Sequence, residues 1–525
     1  MENAVAMEQK TRKYPIGIQT FEKIIRGGYV YVDKTKYIHK MVSEGEYYFL
    51  SRPRRFGKSL LITTLQAYFE GKKELFKGLD IDQHEKDWDV YPVFHLDFSG
   101  NKYDKEGELD KVTELFLLQN ERIYGKDEAE QTFGSRFQGL LKRAYAQTGK
   151  QCVILIDEYD KPLTDTIGMQ DLQDENRSTL QGLYGVLKNG DANIKFAMLT
   201  GVTRYGKLGI FSASNNPRDI SMSNSYSSVC GITEQELHKY FDEEIGNFAK
   251  EKNITKEELY AVLKNKYDGY HFSENSDDIY NPFSILNSLT DHQITNSWFS
   301  SGTPTYLTLM LKNCNFDTST LEGDVTTTVE GLSSFGNGEK NVVAALYQSG
   351  YLTIKGFDGK YYTLAMPNEE VGEGLTNYLI PEYTGCAIGE FDPDIRDLGI
   401  CIKNGDAEGL MQQLQYIMEQ IPFESNEPKL IEANFRNMAY LMIRATGHKT
   451  WIEKPKLGGR MDIYFENDKY VFIIECKRDG SATEALQQIN EKKYDHRLSR
   501  EGKKLFKIGA NFSTEARNLV EWKIE

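Results

Sequence analysis

The sequence is short of cysteine and proline and has no long apolar run. Its six cysteines (Cys152, Cys230, Cys314, Cys386, Cys401 and Cys476) are spread over 525 residues with no C-x-x-C pair. That spacing excludes a zinc ribbon and a disulfide framework, leaving buried free thiols and a reducing compartment as the expectation. With only 13 prolines and neither a repeat nor a low-complexity tract, bulk disorder is excluded. No stretch of 18 apolar residues occurs and residues 1–13 are polar and charged, so no membrane span or signal peptide is expected and the protein is expected to stay in the cytoplasm. A basic surplus is missing too. Lys and Arg number 63 against 78 Asp and Glu, a net charge of −15, unlike a protein that coats nucleic acid; any such contact must be local.

There is ample material for cores: hydrophobic residues make up 39%, with 32 Tyr and 27 Phe. A chain of this length forms about three or four compact units. Charge is uneven, because residues 431–525 carry +4 and the first 430 carry −19. The basic part is the C-terminal part.

Short apolar runs at 47–50, 93–96, 152–156 and 195–199 alternate with amphipathic stretches, the pattern of an α/β fold whose mainly parallel sheet is covered by helices. From residue 233 the sequence turns to helical spacing, opened by the capping-box pattern Thr233-Glu234-Gln235-Glu236. This reads as a helical appendage. Residues 342–349 read as a helix and 351–364 as a hairpin turning at Asp358-Gly359, which resembles a winged-helix piece or is a small α+β patch. Residues 370–425 read as a connector with helices broken at Pro381, Pro393 and Pro422. The expected domains are 1–230, a lid and possible winged-helix region at 231–369, a connector at 370–427, and a C-terminal domain at 428–525.

After the first apolar run comes Arg52-Pro53-Arg54-Arg55-Phe56-Gly57-Lys58-Ser59-Leu60, most of a P-loop. That motif needs glycine so that backbone N–H groups wrap phosphates, a lysine for the β- and γ-phosphates, and a hydroxyl for Mg²⁺. Gly57, Lys58 and Ser59 supply these parts. The first glycine is replaced by Arg52, so the loop must turn differently, and Arg52, Arg54 and Arg55 are expected to offer charge to phosphate. A second motif follows at residues 152–158, a buried strand ending in Asp157-Glu158. One acid suits Mg²⁺ and the other an attacking water. The strand at 195–199 leads into Thr200-Gly201-Val202-Thr203-Arg204. Here Thr200 is a candidate γ-phosphate sensor and Arg204 a candidate charge stabiliser; equally, they are a turn residue and a surface arginine.

Residues 31–35 (Tyr-Val-Asp-Lys-Thr), the Arg52–Ser59 loop, Ile156-Asp157-Glu158-Tyr159-Asp160 and Thr200-Gly201-Val202-Thr203-Arg204 together resemble the AAA-like ATPases of bacteria, over about residues 10–230. The resemblance implies a P-loop NTPase fold and ATP as the ligand. It carries no independent physical role for Asp33 and Lys34.

In the basic C-terminal part, Gly458-Gly459-Arg460-Met461-Asp462 leads into a strand, and residues 470–475 form a second strand reached through Asn467-Asp468. Asp462, Glu475 and Lys477 can then share one sheet end, because residues two apart on a strand face the same side. Two carboxylates and a lysine suit metal-assisted phosphodiester cleavage: the acids hold Mg²⁺, and Lys477 positions or deprotonates water. Residues 432–444 read as a helix with Phe435, Met438, Ala439 and Met442 inward and Glu432 at its start, within reach of the metal. Residues 482–498 read as a helix carrying Gln487 and Gln488. This order resembles the PD-(D/E)XK nuclease superfamily, in the version joined to the AAA-like ATPase, over about residues 428–520. The motif positions fall on Glu432, Asp462, Glu475, Lys477 and Gln488, with Met461 where the motif name has proline. Lys492, Lys493, Arg497, Arg500, Lys503, Lys504 and Lys507 are a candidate phosphate-contacting set.

The expectation is an ATPase, using ATP and Mg²⁺, coupled to a metal-dependent nuclease domain acting on DNA or RNA. A nucleotide-dependent switch or scaffold that binds nucleic acid or protein without cutting, and an ATPase acting on protein partners, are the alternatives. A homo-oligomer, ring or dimer, is allowed by the sequence and not specified by it.

Overall fold

The computed structural model describes residues 12–204, 217–300, 307, 310–311, 321, 325–333, 341–384, 388–421, 428–448, 450–451, 463–491 and 502–525. The chain divides into two compact units, Met1–Ser301 with Thr328–Phe357, and Gly302–Thr327 with Asp358–Glu525.

In the first unit five strands, β1 (Tyr47–Ser51), β2 (Val93–Asp97), β3 (Cys152–Asp157), β4 (Ile194–Gly201) and β5 (Arg218–Asp219), form one sheet in the order β2-β3-β4-β1-β5. Every pairing is parallel. All six residues of β3 are buried, as are all of β4 except Lys195, which is why these strands read as continuous apolar runs. The four strands expected from those runs all form. The fifth, β5, is two residues long and has no periodicity to announce it. Register sets Asp97 beside Asp157 and Leu50 beside Thr200. The P-loop, the acid pair and Thr200 therefore leave the sheet at its carboxyl edge, where open parallel sheets bind ligands.

The helical appendage belongs to this unit. Thr233 caps the helix Glu234–Lys252 through the capping box with Glu236, as its sequence predicts. Thr255 with Glu258 does the same for Lys256–Tyr267, and Asn281 caps Pro282–Asp291. Their apolar faces meet in a core of Leu237, Phe241, Phe248, Leu263, Ile285 and Leu289, against which Tyr14, Ile16, Val30 and Val32 pack. Each fully buried side chain of this size is worth about 1.5–3 kcal/mol. The helix Val342–Ser349 and the strand Thr353–Phe357 complete the unit.

The second unit contains the strand Tyr362–Ala365, entered through a turn in which the Asp358 carboxylate accepts the N–H groups of Lys360 and Tyr361. Helix, strand, turn and strand follow in the order expected for 342–364; the antiparallel partner Val325–Thr327 lacks a strand signal. Among the helices Glu369–Thr384, Asp392–Asn404, Ala407–Glu419 and Pro428–Ala445, one expectation is corrected. Pro381 lies inside Glu369–Thr384 and does not end it. Proline removes one helical bond, but Leu375, Leu379 and Ile380 are buried and the helix packs on Pro428–Ala445, which offsets the loss. Pro393 starts its helix in the first turn, where no N–H is needed; Pro422 lies outside the described residues.

A five-stranded sheet runs Thr450–Trp451, Ile463–Glu466, Tyr470–Arg478, Lys504–Ser513, Asn518–Ile524 in spatial order. Only the Tyr470–Arg478 and Lys504–Ser513 pair is parallel, and the helix Ala482–Glu491 lies between those two strands in sequence. Such a parallel neighbour requires a crossover of this kind.

Candidate functional site

The loop after β1 turns at Arg55 and Gly57, whose φ angles are +67° and +97°. The left-handed positions thus fall late in the loop, and Arg52 keeps an ordinary backbone where the common motif has glycine. Gly57 is the N-cap of the helix Lys58–Phe69, whose first N–H groups have no intrahelical partner and are suited to an anion. Lys58 Nζ donates to the carbonyl oxygens of Arg52 (3.0 Å) and Pro53 (3.1 Å), folding back over its own loop. The loop is braced from behind. Phe56 packs edge-on against Tyr270 and Phe272, Trp298 Nε1 donates to the Arg54 carbonyl at 3.1 Å, and Gly350 is so close that an added Cβ would stand 2.7 Å from Pro53 Cβ.

At the end of β3, Asp157 Oδ1 accepts the Thr200 hydroxyl at 2.6 Å and the Glu158 N–H at 3.0 Å. Glu158 is itself left-handed, with φ +50°, and this turn carries its side chain to the wall of a cleft of about 390 Å³. Burial raises the Glu158 pKa; the Lys58 ammonium opposes that, and Asp157 and Asp160 add to it. Asp160 is buried and accepts the N–H groups of Val202 and Thr203 and the Thr203 hydroxyl, locking the ends of β3 and β4 together.

The cleft brings Gly57, Lys58, Ser59 and Leu60 together with Arg54, Arg55, Glu158 and Lys161. Two further walls come from Pro15–Gln19 and from Pro282, Phe283 and Leu286 of the lid. Beyond Gly57 and Leu60 lies an apolar recess of about 90 Å³, lined by Val30, Val32, Phe56, Val229 and Ile232 among others.

In the second unit Glu475 and Lys477 are two apart on Tyr470–Arg478 and so face the same side. Gln488, on the helix Ala482–Glu491, joins them: it accepts from Lys477 Nζ through Oε1 and donates through Nε2 to Glu475. The helix comes this close because Gly509 lies under it; a Cβ there would be 2.3 Å from the Ala482 carbonyl oxygen. Asp462 lies outside the described residues, and Glu432 falls on the helix Pro428–Ala445.

A family model described as "Predicted AAA-ATPase" matches residues 15–211, and one described as "PD-(D/E)XK nuclease superfamily" matches residues 430–522. An uncharacterized protein of the vnfD 5′ region of Azotobacter chroococcum mcd 1 is 33% identical over 529 residues, covering 98% of this chain and 99% of that protein. The chain belongs to the AAA-like ATPases fused to a PD-(D/E)XK nuclease superfamily domain. No helix among the described residues is long and apolar enough to cross a membrane.

Within the AAA-like module, two of the expected phosphate ligands are placed elsewhere. Arg52 is 1% exposed and spends its guanidinium on the carbonyl oxygens of Ser51, Ser221, Tyr226 and Ser227, 4.1 Å above the Phe272 ring. A buried arginine needs acceptors for its donors, and here backbone oxygens supply them to Nη1 and Nη2, while the buried Nε has no hydrogen-bond partner among the described residues. Arg204 pairs with Asp219, and its N–H donates to Gln348; it is not on the cleft wall. Thr200 is fully buried, off the cleft wall, with its hydroxyl donated to Asp157. Pro53 and Phe56 are buried and shape the loop.

The structure supplies what the sequence did not for Asp33 and Lys34. Asp33 accepts the N–H and hydroxyl of Thr35 and the N–H of Asp80, fixing two helix starts. Lys34, also nearly buried, pairs with Glu236 at 2.6 Å, the same carboxylate that closes the lid's capping box. Pro15–Gln19, Phe283 and Lys161 were missed as site residues. Only Asn281-Pro282, a cap followed by a helix-initiating proline, marks the lid wall locally, and it does not tell that the helix reaches the P-loop.

Among the described residues no group of three or more His, Cys, Asp or Glu side chains gathers around one point. The oxygen donors beside the P-loop, Ser59 and Asp157, nevertheless fit a hard divalent cation that completes its shell with phosphate and water.

Proposed function

We propose that the N-terminal module binds and hydrolyses ATP, and that the C-terminal domain is a metal-dependent nuclease whose access to DNA or RNA the nucleotide controls. The observation that carries the first part is the convergence of Gly57, Lys58, Ser59 and Glu158 on one cleft with Asp157 held behind them. The first-turn N–H groups and Lys58 bind phosphate, and the apolar recess takes the base. Ser59 and Asp157 would hold Mg²⁺, which neutralises phosphate charge when bound. Glu158 accepts a proton from water as the water oxygen bonds to the γ-phosphorus; the bond to the bridging oxygen breaks and its electron pair leaves with ADP.

The Lys477–Gln488–Glu475 chain supports the second part. Glu475, with Asp462 and Glu432, is the proposed oxygen donor set for Mg²⁺, and Lys477, oriented by Gln488, positions the attacking water and neutralises phosphate charge. Labelled single- and double-stranded DNA and RNA, incubated with the protein and Mg²⁺ or Mn²⁺ with and without ATP, test both parts. Cleavage is expected to disappear in Lys477→Ala and to respond to ATP only while Lys58 is present. ATP binding without cleavage of any substrate would replace the nuclease by a nucleotide-dependent switch.

A further inference from the structure

Lys161 follows the acid pair by three residues and lines the same cleft as Lys58 and Glu158. Its backbone is fixed as firmly as theirs. Tyr159 N–H donates to the Thr200 carbonyl, Asp160 holds Val202 and Thr203, and Lys161 N–H donates to the Glu158 carbonyl. The position of the Lys161 Cα is therefore set by the turn that places Glu158. The side chain is tied differently: its ammonium pairs with Asp165 at 2.8 Å, one helical turn on, with both groups about one-fifth exposed. Asp165 Oδ2 also accepts the Tyr103 N–H at 3.3 Å, so the carboxylate keeps a hydrogen-bond partner when the ammonium leaves.

The charges in the cleft have separate stations. Lys58 is folded over the loop carbonyls, and Arg55 lies over the ring of Phe283, on the lid side, at 4.8 Å. Lys161 alone of these cations comes off the strand-end turn that carries Glu158. Arg52 and Arg204, two of the four arginines that the motifs offer for extra charge, are both engaged away from the cleft. A triphosphate brings more negative charge than one lysine and a divalent cation neutralise, and the surplus sits on the terminal phosphoryl group.

We propose that Lys161 is the catalytic cation that reads the terminal phosphate: its ammonium leaves Asp165 for the γ-phosphoryl oxygens of a nucleoside triphosphate and returns to Asp165 when only diphosphate remains. Lys161 gains and loses no proton in this exchange. It stabilises the charge on the γ-phosphoryl group as that group passes to water, and it makes the cleft distinguish triphosphate from diphosphate. The inference rests on the nucleotide reading proposed above.

The test is calorimetric binding of ADP and of the non-hydrolysable β,γ-imido analogue of ATP, each with Mg²⁺, to the full chain and its variants, alongside steady-state hydrolysis. Lys161→Met is expected to weaken the analogue at least ~10-fold and to lower kcat ~100-fold, with ADP affinity nearly unchanged. Lys161→Arg should retain most of the preference. Asp165→Asn, which cuts the tether and keeps the ammonium, should hold or strengthen analogue binding. Equal losses for both nucleotides in Lys161→Met, or the same losses in Asp165→Asn, would assign a structural role and overturn the proposal; so would a triphosphate-selective loss found in Arg54→Met instead. Nucleotide binding that is absent in the wild type, or indifferent to Lys58→Ala, defeats the underlying reading as well. Lys58-dependent ADP binding with wild-type triphosphate preference in Lys161→Met defeats the Lys161 inference alone.

Discussion

Lys58 and Lys477 both stand beside acids, yet they are held by different means. Lys58 rests on the backbone carbonyls of Arg52 and Pro53, in a loop whose shape is set by packing from residues 270–350. Lys477 is held by the Gln488 side chain, which also holds Glu475. The first arrangement survives changes in most neighbouring side chains, because backbone groups do the holding. The second runs through an amide thirteen residues from the acid and eleven from the lysine, which bonds both. A site built on backbone tolerates sequence change nearby and depends on distant packing; a site built from side chains does the reverse.

Removing either lysine is the most damaging way to probe the contrast. Lys58→Ala should lower ATP turnover, and Lys477→Ala metal-dependent cleavage, each by ~10³, measured side by side on the same preparations. The orienting residues should then separate the sites. Gln488→Ala is expected to cost ~10–100-fold in cleavage, since it removes a hydrogen bond from both Lys477 and Glu475. Thr200→Val should cost only about 10-fold in ATP turnover, because the Glu158 N–H still holds Asp157; equal losses in the two variants would remove the distinction.

The last test reads stability in place of turnover, at a carboxylate on which a backbone N–H and a lysine both act. Asp268, buried in the first unit, has its pKa pushed up to about 6 by burial, with the Gly269 N–H and Lys264 opposing and Asp278 reinforcing. An acid raised in the folded state binds its proton more tightly there than when unfolded. Its contribution is therefore complete below about pH 4 and is lost as pH rises through about 6. Asp268→Asn should stabilise the protein by on the order of 1–3 kcal/mol at pH 8 and by nothing near pH 4, read from denaturant unfolding at the two pH values. A gain that does not change with pH would show that the ionised carboxylate is not the cause.

Much of this was legible in sequence wherever a residue acts through its own neighbours. The β1 and β3 strands, the Gly57-Lys58-Ser59 turn, the Thr233 capping box and the Glu475–Lys477 spacing are local patterns, and the structure reproduces them. What was not legible depends on chain brought from far away. Arg52 reads as a phosphate ligand until Ser221, Tyr226 and Phe272 are seen to enclose it. Arg204 reads likewise until Asp219 meets it. Pro381 reads as a break because the packing that overrides it lies on Pro428–Ala445. The lid wall at Phe283 and the N-terminal wall at Pro15–Gln19 flank the P-loop only after the fold has closed.

The bracing of the P-loop also bears on how the protein is made. Trp298 and Gly350 follow that loop by about 245 to 300 residues, and they belong to its own compact unit. At about 5–20 residues per second of synthesis, the strands of the sheet leave the ribosome roughly 10–60 seconds before the residues that hold the loop in shape. A nascent chain ending near residue 211, where the ATPase family match stops, would have the β1–β4 core and an unsupported loop. Nucleotide binding would then begin as a late event in biogenesis, after residue 350 has emerged.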